Sequence, residues 1–124
     1  MLIDTHSHLD LEEDIPSLLE KCEKNLVTKI ISISTDLESS KKNLEIASNF
    51  KNIFSSVGVH PGSVKNTSKD LNFIEKLGLD ENCKAIGEIG LDYFYEGYNK
   101  DLQFEFFENQ VAISEKLNLS LIHI

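Results

Sequence analysis

The sequence is poor in cysteine, and the two cysteines it has form no metal-binding or redox pattern. Cys22 and Cys83 lie far apart in the 124 residues and outside any CxxC motif. Cys22 falls on the apolar face of a predicted helix, where a small buried hydrophobe is expected. Cys83 follows the polar residues 80–82 and is expected to be a bystander rather than a nucleophile. This usage is typical of a reducing compartment.

Long apolar runs are lacking as well. No stretch approaches the roughly 18–20 apolar residues that a membrane span needs. The first residues lack the basic start and apolar core of a signal peptide. We therefore expect a cytoplasmic location, no contact with a membrane and no obligate protein partner.

Basic residues are scarce relative to acidic ones. The chain has 12 Lys and Arg against 21 Asp and Glu, for a formal net charge of −9. Proteins that bind DNA or RNA by simple electrostatics usually carry a basic patch, so this class is disfavoured. A nuclease that reaches phosphate through bound divalent cations stays compatible, because such cations invert the local field of an acidic pocket.

Strand and helix patterns alternate along the chain. Short runs rich in apolar and β-branched residues predict strands at residues 1–4, 29–34, 53–59, 84–89 and 119–124. Apolar positions at helical spacing predict helices at residues 13–25, 37–50, 68–79 and 101–117. Asp14, Asp36 and Ser68 are the predicted N-caps. Alternation about every 30 residues predicts parallel βαβ units and an α/β fold.

Two closures of such a sheet are compatible with this pattern, namely an open doubly wound sheet and a (β/α)₈ barrel. The phosphate-binding fingerprints of open sheets, GxGxxG and GxxxxGK[ST], are absent from the sequence, which disfavours the Rossmann and P-loop readings. A barrel has eight βα units and typically about 250 residues. On the barrel interpretation, residues 1–124 are the N-terminal half of one domain, with four βα units and a fifth strand.

The first candidate site follows the first strand. Residues i and i+2 of an extended chain point the same way, so His6 and His8 are expected to present two imidazoles side by side. Neutral imidazole binds zinc, manganese and similar ions. Two nearby histidines also occur on surfaces by chance, but active sites of barrels lie at the carboxyl ends of the strands, as this pair does.

The second candidate is Glu88, which lies in a strongly apolar strand. A carboxylate there is costly unless it is paired or bound to metal, and it can bridge two cations, which an imidazole cannot. The alternative is a solvated strand end or an ion pair with a lysine. Asp92, four residues later, is expected to position water or to stabilise a turn.

The third candidate is His60, in the run GVHP at the end of the third strand. It is expected either to bind substrate phosphate or to hold other residues of the site in position. The alternative is a loop histidine without a functional role. Three strands therefore end in polar side chains at the same predicted rim, and this convergence is more specific than any one motif.

These blocks resemble those of a known family. IDTHSHLD at residues 3–10, GVHP at 58–61 and AIGEIGLDY at 85–93 are similar, in order and spacing, to the signature blocks of TatD-type deoxyribonucleases, which belong to the amidohydrolase-like hydrolases. The resemblance covers the chain to about Leu119. It implies a TIM-like barrel, two divalent metal ions (Zn, Mn or Mg) and hydrolysis of phosphodiester bonds in DNA.

The same resemblance implies roles for individual residues. His6 and His8 match the first metal-binding pair, and Glu88 matches the carboxylate that bridges the two ions and is the expected catalytic residue. His60 matches a histidine of the pocket and, with Asp92, is a candidate for binding substrate.

The chain departs from the family at its fifth strand. The family has a metal-binding histidine after a run like LPVIIH, whereas this chain has Ser120 at the proline position and His123 one residue early. A slip of one residue turns a strand side chain to the opposite face, which argues against His123 as a metal ligand. The remaining family ligands, a histidine and an aspartate, are expected beyond residue 124. We therefore expect a truncated chain whose residues from about Ser120 need not be native.

Two other functions remain open on the sequence. An amidohydrolase-like hydrolase of small esters or amides shares the HxH start, although the GVHP and GEIGLDY blocks favour the deoxyribonuclease branch. An inactive fragment that lacks the C-terminal metal ligands is the third possibility, because half a barrel exposes strand edges and is prone to aggregation.

Overall fold

One parallel sheet organises the fold, which is taken from a computed structural model that describes residues 1–65 and 69–124. Its strands are β1 (Leu2–Ser7), β2 (Val27–Ser32), β3 (Ile53–Val57), β4 (Cys83–Ile89) and β5 (Ser120–His123). The helices between them are α1 (Ile15–Lys24), α2 (Leu37–Asn49), α3 (Lys69–Leu77) and α4 (Lys100–Leu117). Short 3₁₀ turns follow β1 at Leu9–Leu11 and β3 at Pro61–Ser63.

The order of the strands distinguishes the two predicted closures. Each strand pairs in parallel with the next one along the chain, giving the order β1-β2-β3-β4-β5. A doubly wound sheet reverses its strand order at a switch point, whereas a barrel keeps it consecutive. The α/β prediction is confirmed, and the sheet is a partial TIM-like barrel with four βα units and a fifth strand.

Local sequence signals fix where the first two helices begin. The Asp14 carboxylate accepts a hydrogen bond from the Ser17 N–H at 3.0 Å. Asp36 and Ser39 form a reciprocal capping box at the start of α2, which satisfies backbone donors that the first turn leaves free. The predicted cap at Ser68 lies outside the described residues.

Two apolar clusters join the helices to the sheet. The larger contains residues of β3 and β4, together with Leu44 of α2, Ile74 of α3 and Phe106 of α4. The smaller joins β2 and the start of β3 to α1 and α2, with Ile30 at its centre. No helix in the described part of the chain is both long and apolar enough to cross a membrane.

The strands at the two borders of the sheet are much less covered than the central ones. Leu2 and Ile3 of β1 are 59% and 52% exposed, and Leu121 of β5 is 40% exposed. In the central strands Ile30, Ile53 and Ile86 are at most 2% exposed. Residues of β1 and β5 thus present apolar surface to solvent at both open sides of the half-barrel.

Cys83 lies in the apolar core. The sequence predicted a bystander rather than a nucleophile, and the structure places Cys83 at the start of β4, 3% exposed within the larger apolar cluster. Its Sγ lies 3.4 Å from the Ala85 carbonyl. Burial raises the pKa of the Cys83 thiol from 9.0 to about 11, because desolvation disfavours the thiolate.

We expect the two thiols to differ strongly in reactivity. Iodoacetamide at pH 8 should modify Cys22, which is half-buried beside the smaller cluster, well before Cys83. The raised pKa alone lowers the thiolate population of Cys83 about 100-fold relative to an unperturbed thiol. Peptide mapping by mass spectrometry measures both rates, with the urea-unfolded chain as the control in which the two become similar. Equal rates in the folded chain would contradict the buried position of Cys83.

Candidate metal centre

An irregular end of β1 presents the two histidines. The pairing of β1 with β2 shifts register between Asp4 and Ser7. The Asp4 carboxylate fixes this segment by accepting hydrogen bonds from the His6 N–H at 3.0 Å and the Ser7 hydroxyl at 2.7 Å. The imidazoles of His6 and His8 lie side by side, with centroids 5.3 Å apart and planes inclined at 72°. Both rings are therefore available at the carboxyl end of the first strand.

The ring of His8 is oriented by the neighbouring strand. Its Nδ1 lies 3.0 Å from the carbonyl oxygen of Ile33, just beyond β2. A carbonyl oxygen only accepts, so Nδ1 must carry the proton and Nε2 keeps a free lone pair. Metal-binding histidines are held in this way, because the hydrogen bond at one nitrogen sets the tautomer and direction of the other.

Glu88 reaches the same place from β4. Its backbone N–H donates to the Ser34 carbonyl at 2.7 Å, and its side chain is only 13% exposed. Its Oε1 lies 4.0 Å from Nε2 of His6, whose side chain is 46% exposed. One ligand atom from each of His6, His8 and Glu88 lies within 4.8 Å of the others. Across residues 1–65 and 69–124, no other three potential ligands of these types come so close.

This donor set fits a divalent cation. Nitrogen and oxygen ligands lie about 2.0–2.2 Å from zinc, so two ligands of one ion are at most about 4.4 Å apart. The spacing in the structure exceeds that limit by less than an ångström, which side-chain rotation can supply. Neutral imidazoles beside a half-buried carboxylate also suit manganese and similar ions. The chemistry and the spacing agree with a metal site.

The other predicted histidines lie outside this group. His60 begins the turn Pro61–Ser63, where its Nδ1 accepts from the Gly62 N–H at 3.0 Å and its own N–H donates to the Thr35 carbonyl at 2.8 Å. His123 pairs with Ile89 at the end of β5, and its side chain is exposed. Neither contributes an atom to the group formed by His6, His8 and Glu88.

Asp92 stabilises the connection that follows β4. Its Oδ1 accepts from the Phe94 N–H at 3.0 Å, which forms a side-chain turn. Its backbone is held on both sides by Gln103 of α4, which donates to the Asp92 carbonyl and accepts from the Asp92 N–H, each at 2.8 Å. The turn role that the sequence suggested for Asp92 is present in the structure.

A buried amide on α2 binds the same carbonyl group that orients His8. The Asn43 side chain is fully buried, and its Nδ2 lies 3.2 Å from the Ile33 carbonyl, the same oxygen that orients His8. Nδ2 also approaches the Ser34 Oγ at 3.0 Å, while Oδ1 accepts from the Ser32 hydroxyl at 2.6 Å. One side chain thus ties the end of β2 to helix α2.

The same hydrogen bonds continue to Glu88. The Ser34 hydroxyl donates to the Ser56 carbonyl at 2.8 Å, and the Ser34 N–H donates to the Ser56 Oγ at 3.1 Å. The Ser56 hydroxyl in turn donates to the Gly87 carbonyl at 2.7 Å. Gly58 allows this approach, since a Cβ there would lie 2.7 Å from the Gly87 carbonyl carbon. The buried network therefore links both metal-facing strand ends, and no buried side-chain polar atom of the described residues lacks a partner.

Sequence reasoning did not identify this network. Serines in the apolar runs KIISIS and IFSSV, and an asparagine inside a helix, were its signals. Asn43 lies four positions after Ser39 and four before Ala47, on the buried face of α2. An amide on such a face must find internal partners, because an unsatisfied buried polar group is costly.

Comparison with known proteins finds similarity to one family. A family model described as TatD related DNase matches residues 3–124. An uncharacterized metal-dependent hydrolase of Bacillus subtilis, YabD, is 34% identical in an alignment 126 positions long that covers 98% of this chain and 49% of the relative. The deoxyribonuclease Tat-D of Schizosaccharomyces pombe is 27% identical in an alignment 128 positions long that covers 94% of this chain and 41% of that protein.

Solved structures give the same result. The Escherichia coli TatD homologue YjjV superposes with a TM-score of 0.91 at 27% identity, over 98% of this chain and 49% of that one. A TatD-family hydrolase from Entamoeba histolytica gives a TM-score of 0.81 at 27% identity, over 93% of this chain and 46% of that one. The chain thus spans about half the length of the relatives it matches.

Proposed function

Because this chain belongs to the TatD-related DNase family of metal-dependent hydrolases, we propose that it supplies the first half of a barrel that hydrolyses phosphodiester bonds in DNA. The observation that carries the proposal is the convergence of His6, His8 and Glu88 within 4.8 Å at the carboxyl ends of β1 and β4. Catalytic groups of barrels lie at this end of the strands. The fungal relative named as a deoxyribonuclease supports the choice of substrate.

Three side chains would hold two divalent cations, Zn, Mn or Mg. His6 and His8 would hold an ion through ring nitrogens, and Glu88 would help to hold both ions, since a carboxylate has two oxygens to offer. When bound, such a pair lowers the pKa of water and offsets the negative charge of the phosphate. Three donors do not fill two coordination shells, so water or further protein groups would complete them.

The residues of this chain would act on water and phosphate as follows. The negative charge of Glu88 would hold the cations beside the attacking water. Asp92, four residues after Glu88 in the connection after β4, would bind substrate. His60 accepts a backbone hydrogen bond at Nδ1, so its neutral ring carries the proton on Nε2, where it donates to a phosphate oxygen.

A chimera tests this proposal. The second half of the Bacillus subtilis relative, beginning with its own fifth strand, is joined after Leu119, and cleavage of labelled single- and double-stranded DNA is measured with Mg²⁺, Mn²⁺ or Zn²⁺ and after EDTA. We expect metal-dependent cleavage by the chimera and none by residues 1–124 alone. The same preparations are assayed against p-nitrophenyl acetate and a p-nitroanilide. Hydrolysis of these small ester or amide substrates without cleavage of DNA would overturn the nuclease assignment.

A further inference from the structure

A pocket opens on the same rim as the metal centre. It lies between the connection after β3 (residues 61–64) and the connection after β4 (residues 92–99), and its volume is about 470 Å³. This volume falls within the roughly 300–1,000 Å³ typical of small-molecule sites. Asp92, on its wall, follows Glu88 by four positions, so the chain allows a separation of at most about 14 Å between their Cα atoms. We call it the rim pocket.

Aromatic rings form one side of the rim pocket. All three tyrosines of the chain, Tyr93, Tyr95 and Tyr98, lie in the connection after β4. Tyr95 and Tyr98 line the pocket and remain 70% and 45% exposed. Tyr93 braces Tyr98 by stacking, with centroids 5.0 Å apart and planes inclined at 28°, and the Lys100 ammonium lies 5.5 Å from the Tyr93 ring. The Tyr98 ring is thus held in place while much of its surface stays open.

The charge of the rim pocket selects against phosphate. Among the described residues, its wall carries the carboxylates of Asp92 and Glu96 and no lysine, arginine or histidine. Carboxylates repel phosphate but accept hydrogen bonds from amino groups on base edges. One Asp92 oxygen is occupied by the Phe94 N–H, which leaves the other free. An aromatic platform beside carboxylates therefore favours a flat, uncharged ring that carries N–H donors.

We infer that the rim pocket binds one nucleobase of the DNA strand, stacked on Tyr98 and hydrogen-bonded by Asp92 or Glu96, while a nearby phosphate of that strand lies at the metal centre. The inference takes the identity of its ligand from the proposed nuclease function. Stacking of single-stranded bases on aromatic side chains tolerates any sequence, since every base has a π-face. A stacked base also requires a strand whose bases are free, because duplex bases are already stacked on each other.

Nucleoside binding without metal or turnover tests this inference. The tyrosine rings are isotopically labelled, and their three sets of NMR signals are followed in EDTA while deoxyadenosine or inorganic phosphate is added. We expect saturable shifts of the Tyr95 and Tyr98 signals with deoxyadenosine and no shift with phosphate. Unchanged signals with deoxyadenosine, or equal shifts with phosphate, would overturn the inference.

Matched variants locate the binding site. Tyr98→Ala should weaken deoxyadenosine binding by at least about five-fold, the lower end of what removal of a stacking ring costs. Tyr98→Phe keeps the ring and should bind within about two-fold of the original chain. Phe104→Ala removes an exposed aromatic of α4 that does not line the pocket, and should leave binding unchanged. Equal affinity in Tyr98→Ala would contradict the role of this ring.

The outcome separates the pocket from the nuclease activity. Deoxyadenosine bound by the chain, together with a chimera that fails to cleave DNA, would refute the proposed function and retain the base-binding pocket. Cleavage of DNA by the chimera without any nucleoside binding would refute the base-binding pocket and retain the proposed function.

Discussion

Replacing Glu88 with glutamine will lower the metal-dependent cleavage of DNA by the chimera about 1,000-fold or more. Glutamine keeps the size and most of the hydrogen-bonding capacity of the side chain, so the fold of β4 is retained. It removes the negative charge that would hold the two cations beside the attacking water. Initial rates on labelled single-stranded DNA at saturating Mn²⁺ measure the loss.

A matched control excludes a general effect of charge. Glu105 is an exposed carboxylate on α4 that lies outside the metal-facing group. Glu105→Gln changes the net charge by the same amount and should cleave DNA at the original rate. Cleavage by Glu88→Gln at more than about a tenth of the original rate would remove Glu88 from the mechanism.

Metal binding gives a second readout that does not depend on turnover. Zinc titrated calorimetrically into residues 1–124 should bind at least about ten-fold more weakly to Glu88→Gln and to His8→Ala, each of which loses one of three ligands. His123→Ala serves as the control and should bind zinc as before, because His123 lies outside the group. Equal affinity in all of these proteins would contradict the proposed site.

Replacing Asn43 with alanine will destabilise the fold by about 3 kcal/mol, because the buried Ser32 hydroxyl loses its acceptor and the Ile33 carbonyl loses one of its two donors. For a chain of this size, that loss lowers the unfolding midpoint by roughly 10 °C. Thermal unfolding followed by far-ultraviolet circular dichroism measures it. A variant that is already unfolded at 25 °C, and therefore shows no cooperative transition, would be an extreme case of the same result.

Asn49 provides the control for Asn43 on the same helix. It is exposed, and its side chain only donates to the Glu45 carbonyl at 2.9 Å. Asn49→Ala should change the unfolding free energy by less than about 0.5 kcal/mol. If Asn43→Ala is no more destabilising than Asn49→Ala, the hydrogen-bond network around Asn43 does not support the ends of β2 and β4 as described.

The elements of the fold could be predicted from the sequence because their signals are local. Apolar strands, helical spacing and the caps at Asp14 and Asp36 each depend on a few neighbouring residues. The choice of a barrel over an open sheet depended on the missing phosphate-binding loops and on the resemblance to a known family. The end of β1 was harder, since the strand continues to Ser7 through a register shift that Asp4 stabilises by side-chain hydrogen bonds.

The candidate site could be predicted only in part. His6, His8 and Glu88 were found because imidazoles and a carboxylate beside apolar strands are chemically conspicuous. Asn43, Ser34 and Ser56 were missed because their partners are backbone groups far along the chain, and the sequence does not show which carbonyl an amide will meet. The burial of Cys83 was not predicted either, since it depends on packing by α2, α3 and α4 rather than on the polar residues before it.

The open border of β1 has a consequence for how the site responds to its ions. Strands at the border of a sheet fray at a lower free-energy cost than central ones. Two of the three ligands depend on β1, since His6 lies on this strand and His8 follows its last residue. Any cation that binds only the ordered strand shifts this local equilibrium, by about 2.7 kcal/mol at a concentration 100 times its dissociation constant. Amide protection in β1 should therefore rise with divalent cations while that of β3 stays constant. Metal binding and the ordering of the amino-terminal strand are then coupled.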